Sequence, residues 1–387
     1  MPLSRKEKII YTIIGLIILF FLVYPFEPTE RARRYYKQGK YEKAIEEYKK
    51  VLEKNPESHT TYYDIGVCYR ELGQYDKAME YFEKSISIKP TAEAYNEIGG
   101  IYDVKDNLNK AEMYYRKAIE LEHKCPHPFY NLGLIYRDQH DYDNAISYFE
   151  KALKIDPEFS LSYYGLGLVY EDKGDYKEAI QFYEKAINYE SEFAEAYFRK
   201  GCIYLKEKKY KKAVDIIKEA IKINPKIEHQ FILAFLYNEL NKPEKEISVY
   251  KDILKSDPNN EDAMNHLAYT YLEQNTNLNE AFQLAQKAYN LEPNNHNIID
   301  TLAFAYYRKG QYDKAILLYK KALDIDDTIA EIHLHLALAY LKNNQLDKAK
   351  QQVKEAIQID KETTLDMINN EKLYKDIRKN PAFEDLL

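Results

Sequence analysis

The chain has 387 residues, with 56 Lys+Arg against 63 Asp+Glu and a net charge of −7. That acidic balance argues against sequence-independent nucleic-acid binding, which needs a basic surface. Gly is only 12 and Pro 13, too few for a protein of many tight turns or shaped loops, and three Cys make no disulfide framework.

Residues 1–8 form a short basic tail with Arg5, Lys6 and Lys8. Residues 9–26, IIYTIIGLIILFFLVYPF, carry no charge and end at Pro25 and Pro28. As a helix this stretch reaches roughly 27 Å, enough for a bilayer core. A cleaved leader needs small residues at its cut site, and VYPFEPTE has none. The reading is therefore one uncleaved transmembrane anchor, with the protein a single-pass membrane protein. Arg31, Arg33, Arg34, Lys37 and Lys40 follow the span and favour a cytoplasmic C-terminal part. A short basic tail before an uncleaved span favours the reverse, and both orientations stand.

From residue 27 to about 361 the chain is periodic. One tyrosine column runs Tyr35, Tyr69, Tyr102, Tyr136, Tyr170, Tyr204, Tyr237, Tyr271, Tyr306 and Tyr340, in steps of 33 to 35 residues. An alanine column runs Ala44, Ala78, Ala111, Ala145, Ala179, Ala213, Ala281, Ala315 and Ala349, with Glu246 as its exception. A small-residue column runs Gly66, Gly99, Gly133, Gly167 and Gly201, continued by Ala234, Ala268, Ala303 and Ala337. Prolines such as Pro56, Pro90 and Pro157 end units. Apolar residues recur at three and four within each unit, so each is a helical hairpin and there are about ten. The small column is expected to face Ala of the partner helix where the axes cross. Gly39, Gly73, Gly174 and Gly310 are expected to supply positive φ between the two helices. Glu246 and the extra residue in QNTNLNEA break the pattern locally.

These columns resemble the tetratricopeptide repeat family over nearly all of the chain after residue 26. Tyr62, Tyr95, Phe129, Tyr163 and Tyr197 stand where the family often has Trp. The resemblance implies an all-α fold, a right-handed superhelical solenoid of about ten hairpins whose first helices line a concave groove. Residues 362–387, with Leu373, Ile377, Phe383 and Leu387 between charges, read as a C-terminal capping helix.

By the same resemblance, groove positions on the first helices include Tyr63, Asn96, Tyr130, Tyr164, Phe198, Phe231, Asn265, Asp300 and Leu334. Arg70, Arg137 and Glu171 lie further along, and Phe235, Phe304 and Tyr307 extend an apolar lining. An aromatic groove rimmed by charge suits an extended peptide or an amphipathic helix, with Arg70, Arg137 and Arg199 meeting acidic groups of the partner. Asn131 and Arg199 occupy columns that some family members use to clamp the C-terminal carboxylate of heat-shock chaperones. They are two units apart and the supporting lysines are missing, so that clamp is not expected.

His123, Cys125 and His127 in HKCPH read as an inter-unit loop, without the spacing of a closed zinc site. His333 and His335 lie two apart, point to different helix faces and do not converge. No phosphate-loop, zinc-protease or nucleophile-elbow motif occurs. The expected function is a membrane-anchored protein-interaction scaffold with no catalysis, no cofactor, no metal and no nucleic acid. Self-association is compatible with it. The alternative is an accessory subunit of an envelope enzyme or of a transport or export machine.

Overall fold

The computed structural model describes residues 27–387. The anchor expected at 9–26 lies outside the described residues. Among those described, no helix is long and apolar enough to cross a membrane. The chain divides into two compact units, split at Ser191 and Glu192.

The described part of the N-terminal unit holds five hairpins. They are α1 (Pro28–Lys37) with α2 (Tyr41–Lys54), α3 (His59–Glu71) with α4 (Tyr75–Ile88), α5 (Ala92–Val104) with α6 (Leu108–Leu121), α7 (Pro126–Asp138) with α8 (Tyr142–Ile155), and α9 (Ser160–Asp172) with α10 (Tyr176–Tyr189). The C-terminal unit holds five more. They are α11 (Ala194–Lys206) with α12 (Tyr210–Ile223), α13 (Ile227–Glu239) with α14 (Pro243–Ser256), α15 (Glu261–Glu273) with α16 (Leu278–Leu291), α17 (His296–Arg308) with α18 (Tyr312–Ile325), and α19 (Ala330–Lys342) with α20 (Leu346–Ile359). There is no strand among the described residues. Within each unit a helix packs on its sequence neighbours, and first helices of successive hairpins touch, as α7 does α9 and α15 does α17.

The tyrosine column closes every hairpin through its backbone. Each of these carbonyls accepts the amide five residues on, from Lys40 onto Tyr35 (2.9 Å) to Gln345 onto Tyr340 (2.9 Å). This bond needs a left-handed residue in between. Gly39, Gly73, Gly174 and Gly310 supply it, with φ of 69°, 69°, 80° and 73°. Elsewhere Asp106, His140, Lys208, Asn241, Asn275 and Asn344 take the same conformation. The extra residue of the eighth hairpin is absorbed in the loop, where Asn277 also has positive φ (46°) just before α16.

In the N-terminal unit, Tyr69, Tyr102, Tyr136 and Tyr170 pack their rings on an aromatic of the second helix of their own hairpin. Tyr102 lies 5.5 Å from Tyr114 and Tyr136 lies 5.2 Å from Tyr148, both nearly parallel. Lys110 and Lys151 cap the stacks at 4.9 and 4.2 Å from the rings. A phenol suits this half-buried edge because its ring packs while its hydroxyl stays wet.

The small column leaves room for a ring. A Cβ on Gly66, Gly99, Gly133 or Gly167 would come within 2.5–2.7 Å of Phe82, Tyr115, Phe149 or Tyr183, an aromatic one turn after the alanine column. The missing side chain makes room for that ring. Glu246 keeps its place in α14 by finding donors. The Thr270 hydroxyl donates to it at 3.1 Å and the Asn238 amide at 3.4 Å.

The segment after residue 361 is not one helix. α21 (Lys361–Asn370) stops at two asparagines, poor helix formers. A single turn, α22 (Lys375–Arg378), and a 3-10 turn at Pro381–Phe383 follow. Tyr374, Ile377 and Phe383 are fully buried in the core that runs through the C-terminal unit.

Candidate functional site: the first-helix faces

In the N-terminal unit, Tyr63 on α3 packs 5.6 Å from Phe82 and lines a cleft of about 580 Å³ with His59, Glu93 and Leu121. Tyr130 on α7 lies 5.7 Å from Phe149 and edge-on to Phe159 at 6.0 Å. Tyr164 on α9 packs 5.7 Å from Tyr183 and is only 9% exposed. Burial pushes the Tyr63 and Tyr130 phenols well above their ordinary pKa. These rings thus stand over the second-helix aromatics, with Tyr164 buried among them.

The polar residues of this face pair across hairpins. Arg70 binds Glu97 of the next hairpin and Glu71 at 2.5 Å. Burial pushes the Glu97 carboxyl up, against the opposing pull of Arg70. The Asn131 amide donates to Asn96 at 2.9 Å, and Arg137 meets Asp172 at 2.6 Å. Glu171 is buried and accepts the Tyr183 hydroxyl at 2.7 Å. The arginines read as partner contacts thus have carboxylates within the chain.

In the C-terminal unit, Phe198 on α11 stacks on His229 at 4.1 Å. Arg199 lies 3.8 Å from Glu195. Phe231 on α13 lies 6.0 Å from Tyr250 and 5.9 Å from His266. One turn on, Phe235 is 47% exposed. Leu334 and Phe304, read as lining, are fully buried, and Asn265 and Asp300 nearly so.

A buried polar pair was not read from the sequence. His335 on α19 has no exposed side-chain surface, and its Nδ1 lies 3.0 Å from Asp300 Oδ1 on α17. Its ring stacks on Phe304 at 5.2 Å. Nε2 lies 3.8 Å from Glu331, which accepts the Tyr269 hydroxyl at 2.6 Å. His333 turns away, to Gln352 (2.7 Å) and the Asp327 carbonyl (3.1 Å). The legible signal was spacing. Asp300 and His335, Asn96 and Asn131, and Arg137 and Asp172 are each 35 residues apart, about one repeat.

Of the HKCPH motif, Cys125 lies 3.9 Å from His127, whose ring meets the Phe159 edge at 4.9 Å. Among the described residues no three His, Cys, Asp or Glu are placed to hold a metal ion.

Tetratricopeptide repeat family models match residues 29–93, 90–158, 126–189, 303–344 and 330–363. A model described as the Psidin N-terminal TPR repeats region matches 168–295. Hsp70-Hsp90 organizing protein 2 of Arabidopsis thaliana is 26% identical over 95 residues, 24% of this chain. The Hsp70-Hsp90 organizing protein of Triticum aestivum is 27% identical over 97 residues, 25% of this chain. The match spans 17% of the length of either relative. The solved structure of MamA is 32% identical, covering 42% of this chain and 96% of that one, with a TM-score of 0.36. The Cut9-Hcn1 structure is 15% identical, covering 97% and 96%, with a TM-score of 0.45. The repeat columns, the hairpins they form and the matched residues agree: this chain belongs to the tetratricopeptide repeat family, a protein-interaction repeat.

Proposed function

We propose that the protein is a membrane-anchored scaffold that gathers protein partners through its first-helix faces and helps assemble or localise a complex. The observation that carries this reading is Phe235, an aromatic ring on the α13 face left 47% exposed beside the half-buried Phe231. An apolar ring in that setting gains most when a partner's apolar side chain covers it. Tyr63 and Tyr130 supply aromatic edges on the N-terminal unit, suited to an extended peptide or one face of an amphipathic helix. The uncharged stretch 9–26 supports tethering.

The test is affinity capture from detergent-solubilised membranes of the source cell, with the full-length protein beside Phe235→Glu. Partners lost only with the variant would support the face. The same partners from both would sink it. Full-length protein that stays in the aqueous phase on detergent phase separation would sink the anchor.

A further inference from the structure

We propose that the face built by α17 and α19 binds a partner segment carrying an aromatic residue, an acidic residue two positions on and an aliphatic residue after that. Residues 371–387 hold this face as an intramolecular stand-in. The proposal rests on the groove reading above and names what one part of the groove takes.

The stack is already closed by α21, which packs on α20. The chain then leaves that position and lays an irregular segment against first helices. Tyr374 is fully buried, its ring 6.2 Å from His335 and within 19° of parallel. Asp376 reaches Lys342, the last residue of α19, at 2.5 Å. Ile377 is buried beside them. The tail thus presents Tyr-x-Asp-Ile to the face in the way a bound peptide would: one anchor ring, one ion pair and one aliphatic contact.

Two features mark this occupant as replaceable. First, the fit is incomplete. The Tyr374 hydroxyl is buried without a hydrogen-bond partner, near Glu331, Glu371, Asp300 and Glu273. A cleft of about 840 Å³ also stays open beside the tail, lined by Glu273, Tyr307, Arg308 and Lys342 on one side and Glu371, Leu373 and Asp376 on the other. Second, the tail is held by the burial of Tyr374, Ile377 and Phe383, whereas its ion pairs, Lys342–Asp376 and Lys350–Asp385, are solvated at the surface and weak. A partner with phenylalanine at the anchor position leaves no buried hydroxyl unmet, which favours it over the tail's tyrosine at that place.

The probe is a fluorescent peptide of residues 371–387 carrying Tyr374→Phe, titrated into full-length protein. The expected result is binding at least ten-fold tighter to the tail-weakened variant Tyr374→Ala/Asp376→Ala than to wild type. Replacing the anchor phenylalanine of the peptide by alanine weakens binding to that variant at least ten-fold. Absence of binding to a variant that keeps its helicity would overturn the proposal, as would binding that ignores the anchor substitution. Should the double variant unfold, the two peptides titrated into wild type decide, and equal binding of both overturns the proposal. Protease cleavage within 371–387 at an unchanged melting temperature supports a releasable tail, and loss of the whole C-terminal unit makes it a structural cap. Concentration-dependent self-association of wild type that the peptide does not reverse would assign the face to a second copy. Peptide failure with Phe235-dependent capture intact sinks this proposal alone, and failure of both sinks the groove reading.

Discussion

The Phe149 ring occupies the space where Gly133 has no side chain: a Cβ on Gly133 would come within 2.5 Å of it. Gly165 of the next hairpin meets the same ring at the same distance, so Phe149 is held from two sides. Gly133→Ala should therefore overpack the α7–α8 hairpin and destabilise it by about 1–3 kcal/mol. Gly100 is the control. A Cβ there meets only the Tyr115 hydroxyl at 3.7 Å, so Gly100→Ala should stabilise by about 0.5–1 kcal/mol through helix propensity. Hydrogen exchange of the two hairpins reads both effects locally. Equal effects of the two substitutions would contradict this packing.

The Asp300–His335 pair makes the C-terminal unit sensitive to pH. Burial alone would push the imidazole down. Asp300, with Glu331 and Glu273 beyond it, overrides this and raises it to about 9. Tyr269, Tyr319, Tyr374 and Glu371 also face the ring's surroundings, and burial pushes each of them up. A folded pKa above the unfolded 6.5 gives stability that is complete below pH 6.5 and lost as pH rises through 9. The expected loss over that window is about 3 kcal/mol. Asp300→Asn should flatten it and cost about 3 kcal/mol at pH 6. Melting temperature against pH for the two proteins checks this, and parallel curves would exclude the pair as the source.

Two aromatic positions with the same assignment from sequence should behave differently. Tyr164 is 9% exposed against Tyr183, so Tyr164→Ala should cost about 3 kcal/mol from the cavity it leaves. Phe235 is 47% exposed, so Phe235→Glu should change stability by no more than about 0.5 kcal/mol. Denaturation monitored by circular dichroism separates them. An unchanged curve for Tyr164→Ala would mean that its ring is not packed.

Much of this architecture was legible because a repeat writes the same constraint many times. The tyrosine column marked each hairpin, and its carbonyl proved to be the acceptor that ends the first helix. The four turn glycines had the positive φ their spacing implied, while Lys208 and His140 filled the same position without a compositional sign. The glycine column was read as a close helix crossing, and the ring that fills the space beside each glycine was not named. Spacing along one helix shows that a small residue is needed there, but the ring it admits lies on another helix.

The sequence by itself determined the all-helical repeat, its hairpins and its family, because those follow from local periodicity and backbone capping. Only the tertiary structure decided which groove residues stay open. Arg70 and Arg137 meet carboxylates one hairpin away, Phe304 and Leu334 fall inside the core, and the tail lays Tyr374 on His335. Exposure and pairing depend on what the neighbouring hairpin brings to the same point in space, and no single helix's pattern contains that.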